Sequence, residues 1–416
     1  MFDRLHAIYP ELYGTDYSIE EMDSRFASLA SKHKELFGKD NPMIFSASGR
    51  TEIAGNHTDH NLGLVIGGTI NLDTIAAVSY RDDNKVILSS EGFPTVEIDI
   101  TDSSIIEEEK NTTSSLIRGI ASAFKARGLK VGGWEANTTT KVLKGSGLSS
   151  SAAIEVLTAE IFNNLYNNDA LSPVELAKIG QYAENVYFGK PSGLLDQICC
   201  AEGGIVGIDF KDNLNPVLTP LAVDFDSFGY SMVITDTKGS HANLTPEYGA
   251  VPAEMKAVAS FYGKKNLREV NFDDFLNDIS KIRDYVNNDR AILRAYHYFT
   301  ENERVEKMLK ALSVGDIQSF FKYVKESGNS SFRFLQNVYP SSDPVFQGLS
   351  IAIAISERIL KDEGAVRVHG GGFAGTIQAY VPKILLAEYI SAMEAIFGEG
   401  CTSLISIRKK SVLRIV

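Results

Sequence analysis

The stretch "GRTEIAGNHTDHN", from Gly49 to Asn61, gathers Arg50, Glu52, Asn56, His57, Asp59, His60 and Asn61 directly behind the strand-like "PMIFSAS". A chain that only had to turn would not need so many hydrogen-bonding side chains, so these residues are expected to face a polar ligand. A second group is "KGSGLSSSAAIEV", from Lys144 to Val156. A strand, a glycine-rich turn and then a helix is how a backbone cradles an anion, because free amide N–H groups and the helix dipole face the negative charge. Ser149, Ser150 and Ser151 add hydroxyl groups, and one of them would suit a magnesium ion bridging phosphates. The alternative is a glycine turn with a serine cap; no Gly-Lys-Ser/Thr follows the glycines, so this is not a Walker loop. A third group is "AENVYFGKPSGLLDQICCAEGG", with Glu184 inside a predicted helix and Asp196 after the turn "KPSG". Asp196 reads either as a helix cap or as the carboxylate that phosphate transfer to an alcohol needs near its nucleophile. "VRVHGGGFAGTIQAYV", from Val366 to Val381, places three successive glycines between strand-like flanks. A close ligand, a close backbone or a bulged strand would each explain them.

The elements that must position these groups can be read around them. Residues 18–37 have helical apolar spacing. "MIFSAS", "LVIGGTINLDTIAAVSYR", "KVILSS" and "GWEANTTTKVL" read as strands, and "SSLIRGIASAFKARG" as a helix ending at Gly128. "SPVELAKIGQYAENVYFG" opens with a serine cap and a proline at the first helical position. The second half is expected to be helical from about 253 to 330 apart from a turn at "NFDD", followed by a helix at "DPVFQGLSIAIAISERILKDEG" and a last one at "KILLAEYISAMEAIFG". Helices packed on strands, twice over, predict two α+β halves, 1–215 and 216–416, with an extra helix over 1–37.

The 416 residues carry a formal charge of −12, which leaves no basic stripe for nucleic acid or a membrane surface. Three cysteines make no disulfide framework, and Cys199 and Cys200 read as core. No signal pattern and no bilayer-length apolar run are present, so a cytoplasmic, soluble protein is expected, with a monomer as the default.

Taken together, and in this order along the chain, the motifs resemble the galactokinase family, within the superfamily of homoserine, mevalonate and phosphomevalonate kinases. The resemblance runs from about residue 40 to 383 and is most specific in "GLSSSAA" with "AEN…GLLDQ". It implies an ATP-dependent sugar 1-kinase with an N-terminal α+β domain, a ferredoxin-like C-terminal domain and the site in the cleft between them. By resemblance, Asp196 faces the anomeric hydroxyl and Arg50 lies beside it and the transferred phosphate. Asn56, His57, Thr58, Asp59, Gly193 and Tyr248 line the sugar pocket. Gly145, Ser146, Gly147, Leu148, Ser149, Ser150 and Ser151 hold the ATP phosphates, and Ser151 and Glu184 ligate Mg2+. The implied partners are a small-molecule sugar and ATP, with no nucleic acid and no membrane.

The chain departs from the family's usual "PGRVNLIGEHTDYNGG" by reading "SGRTEIAGNHTDHNLG". Ser48, Glu52 and His60 replace proline, asparagine and tyrosine, and Asn56 stands where the family has a glutamate that accepts from a sugar hydroxyl. Exchanging a charged acceptor for an amide costs about 1.5–3 kcal/mol toward a hydroxyl and has the opposite sign toward a sugar carboxylate. Galactose remains the expected substrate, with galacturonate as the alternative and a non-catalytic sugar and ATP sensor as a reading of another class. Ala374 and His369 also differ from the family pattern, and His369 reads as a satisfied core or surface histidine.

Overall fold

A computed structural model describes residues 2–142, 147–240 and 244–416. Its frame is a mixed sheet built around one long strand, Leu64–Tyr80, which pairs along its length with Met43–Ala54. The other edge of the long strand is shared. Trp134–Thr140 pairs with its C-terminal end and Ile205–Asp209 with its N-terminal end. The two-residue alternation of strand side chains sends Phe45 and Ala47 to one face and Ile44 to the other. The first face meets the helices Thr113–Ala126, Ser150–Asn167, Pro173–Tyr182 and Leu195–Ala201.

The opposite face is covered by the N-terminal segment. Where one helix over 1–37 is expected, two form, Phe2–Tyr13 and Ile19–Phe37. Gly14 takes a left-handed φ of 78° between them, and the Ser18 hydroxyl accepts from the Glu21 N–H to start the second. Arg25 from this second helix reaches the buried Asp73 at 2.6 Å.

The second sheet has the order Thr402–Ile405, Tyr230–Asp236, Thr376–Pro382, Ala365–Val368, antiparallel throughout. With the helices Gly348–Leu360 and Leu386–Phe397 this is the βαββαβ pattern of a ferredoxin-like unit. Helices from Thr245–Phe261 to Ile317–Ser330 are inserted after its first strand. At "NFDD" the expected turn is the start of a helix, Phe272–Asn277, because the Asn271 side chain caps the N–H groups of Asp273 and Asp274. The sheets also divide later than 215. Val217–Leu221 pairs with Ile205–Asp209, and Leu413–Arg414 returns to pair with Met43–Ala54. Among the described residues, no helix is long and apolar enough to cross a membrane.

Candidate active site

Arg50 and Asp196 meet where the first sheet faces the glycine–serine loop. Two irregularities break the pairing of Met43–Ala54 with the long strand, between Ser48 and Arg50 and between Glu52 and Ala54. At the first, the Arg50 N–H donates to the Leu148 carbonyl at 3.0 Å. A Cβ on Gly49 would lie 2.7 Å from that carbonyl oxygen, so glycine is what lets the loop dock on the strand. The Arg50 side chain donates from Nε to Asp196 Oδ1 at 2.8 Å and from its terminal nitrogen to the Gly147 carbonyl. Ser149 Oγ donates to the other Asp196 oxygen at 2.6 Å. Burial alone would push the Asp196 carboxyl up. The charge and hydrogen bond of Arg50, with help from Ser149 and Lys190, outweigh it and hold the carboxyl below the usual range.

Asp196 sits in the first turn of Leu195–Ala201. That helix rests on the long strand at Gly67, where a Cβ would lie 2.4 Å from Cys199 Sγ. Cys199 and Cys200 are buried core residues beneath it, and burial pushes both thiols up.

The phosphate-loop residues stand at the start of Ser150–Asn167, with Ser149 in the left-handed region at φ 62°. Gly147, Leu148, Ser149, Ser150 and Ser151 therefore lie at the N-terminus of an 18-residue helix, where amide donors and the helix dipole favour an anion. Gly145 and Ser146 lie outside the described residues.

Below this loop is a buried acidic pair that sequence reasoning did not anticipate. Gln197 Nε2 donates to Glu155 at 2.9 Å and to Glu184 at 3.0 Å. Burial, then the neighbouring Glu184 charge, pushes the Glu155 carboxyl well above its ordinary value. Glu184 also accepts from Ser192 Oγ at 2.5 Å and from Lys190 Nζ at 2.7 Å. Among the described residues no group of three or more His, Cys, Asp or Glu gathers to hold a metal. Magnesium, however, asks for only one or two protein oxygens when phosphates supply others. Glu184 already holds a cation, the ammonium of Lys190, so its carboxylate suits that role.

The Gly49–Asn61 stretch, expected to meet the sugar, folds as the end of a strand, a turn and a single helical turn, Asp59–Asn61. His57 takes a left-handed φ of 60°. The structure separates its residues by task. Thr58 is buried, its hydroxyl donating to the carbonyls of Gly55 and Leu64, so it shapes the turn. Asn61 bonds to the Leu267 N–H and accepts on its own carbonyl from Tyr298, so it anchors the turn to the inserted helices. Asn56 is fully buried with all its polar positions occupied. Its amide donates to Glu52 Oε1 at 3.0 Å and to the Gly370 carbonyl at 2.7 Å, and its oxygen accepts from Asn337 at 2.7 Å and Ser331 at 3.3 Å. Asp59 faces the turn before Asp196: a Cβ on Gly193 would lie 2.3 Å from Asp59 Oδ2. His57 and His60 lie beside it with ring centroids 6.0 Å apart, and burial, then the neighbouring His60, lowers the His57 ring to about 4.

The three glycines acquire a purpose here. The Gly370 carbonyl accepts from Asn56, the Gly371 carbonyl from His57 Nε2 at 2.9 Å, and the Gly372 carbonyl from the Tyr248 hydroxyl at 2.9 Å. One short run of backbone thus holds three of the residues expected at the sugar pocket. His369, just before it, is buried and accepts on Nε2 from the Glu52 N–H at 3.2 Å. Its Nδ1 then carries the proton toward Thr376 Oγ1 at 3.1 Å. Arg367 pairs with Glu52 at 2.7 Å, fully buried, and among the described residues its Nε and one terminal nitrogen have no partner. A cavity of about 680 Å³ opens elsewhere, between Pro10–Asp16, Leu221–Met232 and Leu404–Lys409, and none of the residues above lines it.

The chain is similar to known proteins in sequence and in fold. Residues 31–80 match the galactokinase galactose-binding signature, and residues 115–204 match the N-terminal domain of GHMP kinases. The chain is 28% identical over 376 residues to a galactokinase of Streptomyces coelicolor, covering 89% of this chain and 92% of that protein. Its fold is similar to that of Lactococcus lactis galactokinase, solved in complex with galactose. That match has a TM-score of 0.81 at 24% identity and covers 94% of this chain and 100% of the other. Methanococcus jannaschii mevalonate kinase shares the fold at TM-score 0.63 and 14% identity, over 88% of this chain and 98% of that one.

Proposed function

Because the chain belongs to the galactokinase family, phosphotransferases that act on a hydroxyl acceptor, we propose that it transfers the terminal phosphate of ATP to the anomeric hydroxyl of D-galactose. The observation that carries this reading is the Arg50–Asp196–Ser149 cluster, at 2.8 and 2.6 Å, set between the sugar motif and the glycine–serine loop. Phosphoryl transfer is mainly a matter of positioning and charge neutralisation. Arg50 holds Asp196 ionised, so Asp196 orients the acceptor hydroxyl and takes its proton as the bond to phosphorus forms. A carboxylate whose pKa is lowered is a weak base, which favours late proton transfer over early abstraction. The loop amides and the helix N-terminus receive the phosphates. Glu184 and Ser151 would hold magnesium, which supplies neutralisation of phosphate charge when bound.

Galactose is favoured over galacturonate by the surroundings of Asn56. Its amide donors are spent on Glu52 and Gly370, so none is free for a uronate carboxylate. The nearest buried charges balance in pairs, Glu52 with Arg367 and Glu301 with Arg304. A neutral sugar fits an electrically balanced wall better than an anion does.

The test is ADP release from Mg·ATP by the purified protein, with D-galactose or D-galacturonate, and Asp196→Ala alongside. Turnover with galactose that is lost in the variant supports the proposal. Preference for galacturonate would overturn the substrate. Sugar binding without turnover would place the chain among sensors.

A further inference from the structure

The loop between Glu184 and Asp196 carries a cation that neither phosphate binding nor the sugar motif accounts for. The backbone turns back after Phe188, and the N–H groups of Gly189 and Lys190 both donate to the Glu184 carbonyl, at 3.0 and 3.1 Å. This brings the Lys190 side chain over the Glu184 carboxylate, Nζ to Oε1 at 2.7 Å. The two partners differ sharply in exposure: the lysine side chain is 56% exposed and the glutamate 3%. The ammonium therefore meets solvent while its counter-charge is buried. Asp196 and Glu155 also lie within reach of its charge.

We infer that Lys190 is a nucleotide-phosphate ligand that rests on Glu184 until ATP arrives and then reaches the terminal phosphates from the side opposite Arg50. The inference rests on the phosphotransferase reading above. Three points support it. The exposed lysine end of the pair is free to move, and Glu184 keeps its bonds from Ser192 and Gln197 when the lysine leaves. The side chain is a flexible four-carbon stem with three donors, suited to following a moving phosphoryl group. Arg50 is already committed to Asp196 and the Gly147 carbonyl, and one fixed guanidinium leaves much of the charge of a triphosphate uncompensated. Glu184 is freed at the same moment, which suits a carboxylate that would hold magnesium.

The test is calorimetric titration of ATP in excess EDTA into wild-type protein, Lys190→Met and Lys190→Arg. Without metal, protein cations and amides carry the binding. Lys190→Met is expected to weaken it about ten- to a hundred-fold, the range for one charge-assisted hydrogen bond, and Lys190→Arg to restore most of it. An unchanged melting temperature for both variants would show that the loss is not a folding defect. Equal affinity in wild type and Lys190→Met overturns the inference, and so does a wild type that binds no metal-free ATP. Sugar turnover by the wild type, measured separately, keeps the two readings distinguishable. Turnover with a silent Lys190→Met titration leaves the kinase proposal standing without Lys190, and a lysine-dependent titration without turnover does the reverse.

Discussion

Glu52 and Asn56 depart from the family motif separately in the sequence, but in the structure they touch. The family has an amide at the first position and a carboxylate at the second, and this chain has the reverse, with Asn56 Nδ2 donating to Glu52 Oε1 at 3.0 Å. We predict that the two positions behave as one exchanged pair, with Arg367 as the shared partner. Glu52→Asn alone removes the counter-charge bonded to the buried Arg367, whose other nitrogens lack partners among the described residues. Breaking such a pair costs about 3–5 kcal/mol. Asn56→Glu alone sets a second carboxylate against the first. At about 4 Å and an effective dielectric constant of about 20 the repulsion is about 4 kcal/mol. The double variant returns one carboxylate and one amide in the opposite order, with the carboxylate in reach of the unpaired Arg367 nitrogens. It should recover at least about 2 kcal/mol relative to the sum of the single changes. Equilibrium urea unfolding of all four proteins measures this, and the galactose KM of the double variant shows whether the wall is rebuilt. Additivity within about 0.5 kcal/mol would refute the idea that the exchange is one coupled event.

Gly193→Ala would drive a methyl group onto the Asp59 carboxylate, 2.3 Å away. It should raise the galactose KM about ten- to a hundred-fold, as a displacement of about 1 Å does, with the ATP KM nearly unchanged in initial-rate kinetics. His297 is buried, with Nε2 donating to the Asn56 carbonyl and Nδ1 accepting from Ser330, and burial lowers its ring from 6.5 to about 4. Its neutral form is favoured on folding, so its share of stability is complete above pH 6.5 and is lost as pH falls toward 4. That share is at most about 3 kcal/mol; urea unfolding across this window should show the loss, and His297→Gln should flatten it. Arg25→Ala strips the nearest cation from buried Asp73 and leaves Arg408 at 3.8 Å. A loss of about 2–3 kcal/mol is expected, seen as a lower melting temperature with unchanged galactose KM.

The parts of the site that could be read from sequence are those whose chemistry is local. A glycine–serine turn ahead of a helix advertises an anion site because the same few residues supply both the amides and the dipole. The placement of Asp196 beside Arg50 came from family resemblance rather than spacing, since 146 positions separate them. What stayed hidden depends on contacts between distant segments. Asn56 reads as a pocket residue until Gly370, Ser331 and Asn337 arrive from about 300 residues away and occupy it. The three glycines are ambiguous for the same reason, because their role lies in carbonyls that any residue possesses. Gln197 carries no signal of its own beyond standing next to Asp196, and Glu155 reads as one more helix residue until its burial is known. "NFDD" is ambiguous because asparagine and aspartate mark turns and helix caps alike, and only the backbone after them decides for a helix.

On the proposed function, the two sides of the cleft are built on different principles, and this follows from what each must do. Toward the sugar, a rigid wall is assembled across the junction of the halves. The Glu52 N–H and Thr51 meet His369, Gln378 Nε2 donates to Thr51 Oγ1 at 2.6 Å, and Glu52 meets Arg367. A buried polar network of this kind restricts the groups it joins, so it limits how the two halves move against each other, although two Arg367 nitrogens in it lack partners among the described residues. A wall so fixed loses little further freedom when a small polar ligand binds, which is where affinity for a sugar with few apolar atoms must come from. Toward the nucleotide the arrangement is looser. The amides sit at a helix end, Ser149 is held in a left-handed conformation, and Lys190 stands on an exposed loop. A group that is transferred changes position and charge during the reaction, so ligands that move with it suit that side better than a network that holds one geometry.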